Sequence, residues 1–191
     1  METYKKDEVV FFFSSKDPHF ELSNMAAGMP IIVNGLTWNS SEALYQAAKY
    51  PPSVICLPEA HKKGTDPNVR RRILFARNAM GAKMTQKCAV KAGHVRADWN
   101  DVMVDAMRWA LQLKLQQHRR IFGRVLKSTG SLPIVERSRK DRFWGAILSE
   151  DEKTFDGENH LGKLLTELRD VTYDWVLAGN LTNPEGFLLS V

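Results

Sequence analysis

The sequence holds few of the residues that announce a cofactor or a covalent framework. Two cysteines, Cys56 and Cys88, are too few for a disulfide scaffold and fit a reducing compartment. The five histidines, at 19, 61, 94, 118 and 160, join neither cysteine in a metal-binding spacing. No glycine-rich phosphate loop is visible. No apolar run approaches the roughly 20 residues of a membrane span. The opening METYKKDEVV puts charges where a signal peptide needs its apolar core. There is no internal repeat and no low-complexity segment. The expectation is a soluble cytoplasmic protein that needs no cofactor.

What is present is ordinary in amount. A chain of 191 residues, 43% hydrophobic and 26% charged, suits one globular domain with a real core. Lys and Arg outnumber Asp and Glu by 27 to 22, a net charge of +5. That excess favours an anionic partner such as a nucleotide or nucleic acid, although many basic proteins bind neither.

The first forty residues read as a small β unit. Val9 to Phe13 is a β-branched and aromatic run, and Ile31 to Val33 returns through Asn34-Gly35 to Leu36-Thr37-Trp38. A helix follows from about Ser41 and is stopped by Pro51-Pro52. The stretch from Asn68 to Met80 can be helical and carries Arg70, Arg71 and Arg72, which either grip phosphate or are simply solvated. Asp98 to Phe122 is the longest helical stretch, with Asp98 as N-cap and Asp105 set among apolar neighbours. Asp105 reaches solvent at an edge or, if buried, needs a cation or a ligand. Ile134 to Glu136 reads as a strand, Asp156 to His160 as a loop, and Leu161 to Arg169 as a helix started near Asn159.

One stripe stands out. Glu42, Tyr45, Gln46 and Lys49 are spaced i, i+3, i+4, i+7 and share a helical face. A carboxylate, a phenol, an amide and an amine on one face can form a site. They can equally form a solvated face with a salt bridge along it.

The order of the pieces resembles the NADAR, or YbiA-like, family. The matching pieces begin with Phe12-Phe13, Leu22-Ser23-Asn24, Trp38, Ser41-Glu42 and Gln46-Ala47-Ala48-Lys49. They continue with Arg96, Trp99, Asp105-Ala106-Met107, Lys114, Leu126, Thr129-Gly130, Val135-Glu136, Asp141 and Trp144-Gly145. Gly157, Asn159, Leu161-Gly162 and Arg169 complete the series. Each piece is weak and their joint order is strong. Met25, Ala106 and Ala146 depart from the pattern but spare the ionisable positions.

The resemblance implies an α+β fold: a single compact YbiA-like domain over 9–172, mostly helical with a small N-terminal β unit, and a C-terminal extension over 173–191. It implies an N-glycosidase acting on ADP-ribose-type or ribosylamine ligands, with water as second substrate. Some family members cleave early riboflavin-pathway intermediates. Others remove ADP-ribose from guanine in DNA, as antitoxins to DNA-modifying ADP-ribosyltransferases.

Breaking a C1′–N bond builds positive charge at C1′ and requires a proton on the leaving nitrogen, which carboxylates can supply. Glu42, Asp105 and Glu136 are the candidate acids. Their structural alternatives are a helix-dipole charge, half of a buried pair and a strand-end surface charge. Lys49 is the position the resemblance associates with a covalent lysine, because an amine of lowered pKa can attack the aldehyde of a ring-opened ribose. Substrate contacts are expected from Phe13, Ser23, Asn24, Gln46, Trp99, Trp144, Gly145, Asn159 and Gly162. For Trp99 and Trp144 the alternative is core packing, for Ser23-Asn24 a turn, and for Asn159 a plain helix cap. Three functional readings result: removal of ADP-ribose from modified guanine in nucleic acid, cleavage of a phosphorylated riboflavin-pathway intermediate, and non-catalytic binding of NAD or ADP-ribose.

Overall fold

The structure is a computed structural model that describes residues 1–57, 59 and 62–170. The expected extension at 173–191 lies outside the described residues. In chain order the strands are β1 (Glu2–Lys5), β2 (Val10–Phe12), β3 (Ile31–Val33), β4 (Leu36–Trp38), β5 (Ile134–Ser138), β6 (Ala146–Leu148) and β7 (Thr154–Gly157). The helices are α1 (Ser41–Ala48), α2 (Val69–Leu74), α3 (Ala79–Thr85), α4 (Lys87–Lys91), α5 (Trp99–Gln117), α6 (Arg124–Ser128) and α7 (His160–Asp170). The family expectation of an α+β fold holds. No helix among the described residues is long and apolar enough to cross a membrane.

The chain divides into two units. Unit 1 takes Met1–Ala26 and then resumes at Leu115, while unit 2 contains Ala27–Lys114. The helix α5 runs through the second of these boundaries.

Unit 1 is built on a five-stranded sheet of order β1-β7-β6-β5-β2. The β2–β5 and β5–β6 pairs are parallel, and the other two are antiparallel. The run at Val9–Phe13 therefore pairs with a strand from the far end of the sequence, Val10 opposite Ile134 and Phe12 opposite Glu136. This corrects the expected N-terminal β unit: β2 belongs to this sheet, and only β3 and β4 pair with each other as a hairpin. The stretch read as a loop at 156–160 also begins inside a strand, β7. Val9, Val135, Ala146 and Phe155 form the sheet's apolar cluster, with Phe11 stacked on Phe155 at 5.0 Å.

Helix α7 covers β5 with Leu161, Leu164, Leu165 and Leu168, a buried i, i+3, i+4, i+7 stripe. Its approach depends on glycine. A Cβ on Gly162 would lie 2.0 Å from the Ile134 carbonyl oxygen. Gly145 meets the Glu136 carbonyl in the same way, at 2.4 Å, and Gly157 meets that of Gly145 at 2.4 Å.

Unit 2 gathers α1, α2 and α3 around a shared core that includes Ala43, Leu44, Ala47, Val69, Ile73 and Ala82. Each helix starts on a side-chain cap: Ser40 accepts from Ala43 N at 3.2 Å, Asn68 from Arg71 N at 3.0 Å and Asn78 from Gly81 N at 2.8 Å. The expected helix over 68–80 is thus two helices, parted by a break at 75–78. The expected helix over 98–122 ends at Gln117. A π turn over Arg119–Gly123 and α6 follow it.

Replacing Gly162 with Ala should lower the unfolding free energy by about 3 kcal/mol or more, since a methyl cannot coexist with the strand carbonyl. Urea melts of the variant beside wild type will measure this.

Candidate active site

Helix α1 decides between the two readings of the stripe. All eight of its residues are buried, so Glu42, Tyr45 and Gln46 form no solvated face. Glu42 is 5% exposed and Gln46 2%. A carboxylate in that position is tolerable only if its lone pairs are used, because desolvation costs several kcal/mol per ion. Gln46 supplies the partner: its Nε2 donates to Glu42 Oε1 at 2.6 Å, one helical turn away. Among the described residues no ion pair joins Glu42 to Lys49. The Gln46 Oε1 atom is buried without a hydrogen-bond partner.

Lys49 caps the C-terminal end of α1 and is half-buried. Its Nζ lies 5.2 Å from the centre of the Tyr45 ring and 5.6 Å from that of Trp99. The two rings touch each other at 5.2 Å, tilted by 52°. Trp99 is placed by the first turn of α5, and Arg96 N donates to Lys49 O at 2.9 Å just before it. Burial pushes the Lys49 amine below its ordinary value of 10.5. The Glu42 carboxylate opposes that shift and the Lys83 ammonium adds to it. The result is an amine near a carboxylate, walled by two aromatic rings. It can be neutral and nucleophilic at lower pH than a free lysine.

Asp105 does not share this arrangement. It is exposed and hydrogen-bonds Arg108 one turn along α5. Of its two expected placements the solvent edge is the one found: the buried Ala106 and Met107 beside it in sequence turn inward while it turns to solvent.

The remaining expected residues lie in unit 1, where most have tasks in holding the fold. Asn159 adopts a left-handed conformation, φ 53°, and is 1% exposed. Its Nδ2 donates to Ile134 O at 2.8 Å, and its Oδ1 accepts from Glu136 N at 3.1 Å. The amide thus pairs with β5 as a neighbouring strand would. Gly145 and Gly162 are close-approach positions against the same strand. Ser23 and Asn24 are buried, and Ser23 makes a turn, its Oγ accepting from Met25 N at 3.1 Å. Trp144 is half-buried, edge-on to Phe143 at 5.1 Å, and its backbone N–H donates to Asp141 Oδ1 at 2.9 Å. Glu136 sits at the middle of β5 and is half-buried, not at a strand end. Phe13 is half-buried, with the guanidinium carbons of Arg137 and Arg139 at 5.0 and 5.4 Å from its ring centre.

The Tyr45 ring, on the stripe but not among the expected acids, nucleophile or substrate contacts, faces the amine. Arg70, expected either to grip phosphate or to be solvated, is 2% exposed, and burial followed by the Arg96 charge lowers its pKa to about 10. Consecutive arginines carry no period from which such inward pointing can be read.

These arrangements have counterparts. Residues 10–171 match the NADAR domain model. N-glycosidase YbiA of Escherichia coli is 32% identical over 165 residues, which is 86% of this chain and 89% of that protein. The NMR structure of Escherichia coli YbiA superposes with a TM-score of 0.63 at 29% identity, covering 96% of this chain and 93% of that one. A Vibrio vulnificus protein named riboflavin biosynthesis protein VVA0006 is 28% identical over 165 residues, 86% of this chain and 38% of its own length. The chain belongs to the NADAR family, and it is an enzyme of the N-glycosidase class, the hydrolases of N-glycosidic bonds.

Imine formation between Lys49 and a small aldehyde, trapped with borohydride and read by mass spectrometry, should rise with pH through a midpoint below 10.5. Glu42→Gln removes the opposing negative charge and should move that midpoint down. Lys83→Met removes a like charge and should move it up.

Proposed function

We propose that the protein hydrolyses the C1′–N bond that joins ADP-ribose to a guanine base in nucleic acid, reversing ADP-ribosylation in the manner of an antitoxin. The observation that carries the chemistry is the Lys49 amine, depressed by burial and set against Tyr45 and Trp99, with Glu42 on the same helix. In this reading the ribose ring opens to leave C1′ bound to the base nitrogen as an imine. Lys49 attacks C1′, takes over the imine and releases the base as its free amine. Water then adds to the lysine imine, which returns the amine and frees the sugar. Glu42 carries protons between the exchanging nitrogens and stabilises the cationic imine. The net reaction consumes one water and needs no cofactor.

The anionic half of the substrate is supported by the +5 net charge. A second reading, hydrolysis of a small phosphorylated intermediate of riboflavin synthesis, is favoured by the name of the Vibrio vulnificus relative.

One pair of assays separates the readings. The protein is incubated with ADP-ribosylated DNA and, separately, with the phosphorylated pyrimidine intermediate. Release of ADP-ribose from the DNA alone is the expected result. Turnover of the pyrimidine alone would select the second reading. Lys49→Arg keeps the charge and should lower kcat by about a thousandfold or more, because a guanidinium cannot form the imine. Full activity in that variant would remove Lys49 from the mechanism.

A further inference from the structure

The two cysteines are far apart in sequence, yet unit 2 brings them together. Cys56 follows a short bridge between Ile55 and Asn68, and its N–H donates to Pro67 O at 3.0 Å. That bridge fixes the segment against the start of α2. Cys88 is in the first turn of α4, and its Sγ lies 3.5 Å from the Cys56 carbonyl oxygen. The Cys88 sulfur thus touches the main chain of Cys56 itself. Arg72 closes the group: its Nη2 donates to Cys88 Sγ at 3.2 Å, while its Nη1 is anchored on Asp66 O at 2.7 Å and Pro67 O at 3.0 Å.

Both cysteines line an open cavity of about 480 Å³, where Lys87 and Lys91, one helical turn apart, outnumber the single carboxylate of Glu59. A guanidinium beside a sulfur is the setting in which thiol nucleophiles occur, and ammonium groups at a cavity mouth attract anions. Neither thiol is bonded to another sulfur. Nothing in the glycosidase chemistry uses this group.

We propose that Cys56 and Cys88 are a reversible thiol pair, oxidised to an intramolecular disulfide by an anionic low-molecular-weight disulfide that docks between Lys87 and Lys91. Cys88, held by Arg72, attacks one sulfur of the oxidant as a thiolate and expels the other half as a thiol. Cys56 then loses its proton and attacks Cys88 in the mixed disulfide, expelling the second half. The protein gives up two protons and two electrons, and the oxidant becomes two thiols. Burial, then the neighbouring Cys88, holds the Cys56 thiol above its ordinary value, which suits the resolving partner rather than the attacking one. The crosslink ties the Cys56 segment to α4 two residues beyond Gln86, whose Oε1 accepts from the Tyr50 hydroxyl at 2.5 Å.

The test uses the folded full chain and oxidised glutathione, with intact mass and peptide mapping under non-reducing conditions. Wild type should lose the mass of two hydrogens, yield one peptide pair linking Cys56 to Cys88 and revert with dithiothreitol. Cys56→Ser should stop at a stable single glutathione adduct on Cys88. Cys88→Ser should react about tenfold more slowly, since the guanidinium-held sulfur is gone. Lys87→Glu with Lys91→Glu should slow the reaction with oxidised glutathione and leave that with the neutral hydroxyethyl disulfide unchanged. Stable adducts on both cysteines of wild type, disulfide-linked dimers, or unreacted thiols in protein that circular dichroism shows to be folded would overturn the pair. A rate with oxidised glutathione that is unchanged from wild type in the double glutamate variant would overturn the docking of the anion.

Discussion

A helix buried on every side must settle its polar side chains within the protein. That constraint on α1 governs the rest of the site. Ser41, Glu42, Tyr45 and Gln46 have no bulk water to fall back on, so Glu42 and Gln46 hydrogen-bond each other. One atom is left over, the Gln46 Oε1, at a cost of about 1–3 kcal/mol for an unmet buried acceptor. The burial that makes the helix costly also makes it reactive. It removes water from Glu42 and from the stem of Lys49, and it brings aromatic rings to the amine. A solvated stripe of the same four residues would be a salt-bridged surface with ordinary titration.

The family pattern mixes two kinds of position. Those on α1 are the ones the proposed reaction uses. Many of those in unit 1 carry geometry: Gly145, Gly157 and Gly162 let backbones touch, and Asn159 substitutes its amide for a missing strand beside β5. Such positions tolerate no exchange because any added atom, or any change of donor to acceptor, meets main chain. Residues of both kinds recur in a family pattern, but for different physical reasons.

Local features were the legible ones. The Ser40 region reads as a cap, Pro51-Pro52 as a stop and Asn34-Gly35 as a turn, and each acts over a few residues. What could not be read is what depends on distance. The pairing of β2 with β5 joins the two ends of the described chain, and β6 and β7 are three and four residues long, too short to show a period. Burial is equally hidden. The spacing of Glu42, Tyr45, Gln46 and Lys49 is the same on a wet face as on a dry one. Asp105, among apolar neighbours in sequence, turns out to face solvent because successive helical residues point 100° apart. The approach of Cys56 to Cys88 is tertiary and has no trace in their spacing.

The interruption of unit 1 has a consequence for synthesis. During translation β1 and β2 leave the ribosome first and find no partner, since Val10 must wait for Ile134 and Glu2 for Gly157. Unit 2's helices α1 to α3, in contrast, contact one another over short stretches of chain. Vectorial folding therefore completes the helical core around α1 while the sheet is still a pair of open strands. Closing the sheet is the slow, late step, because its contacts span the longest loops. The reactive helix is then packed before the five-stranded sheet exists. The nascent chain's exposure to aggregation is concentrated in the β2 run of Val10, Phe11 and Phe12.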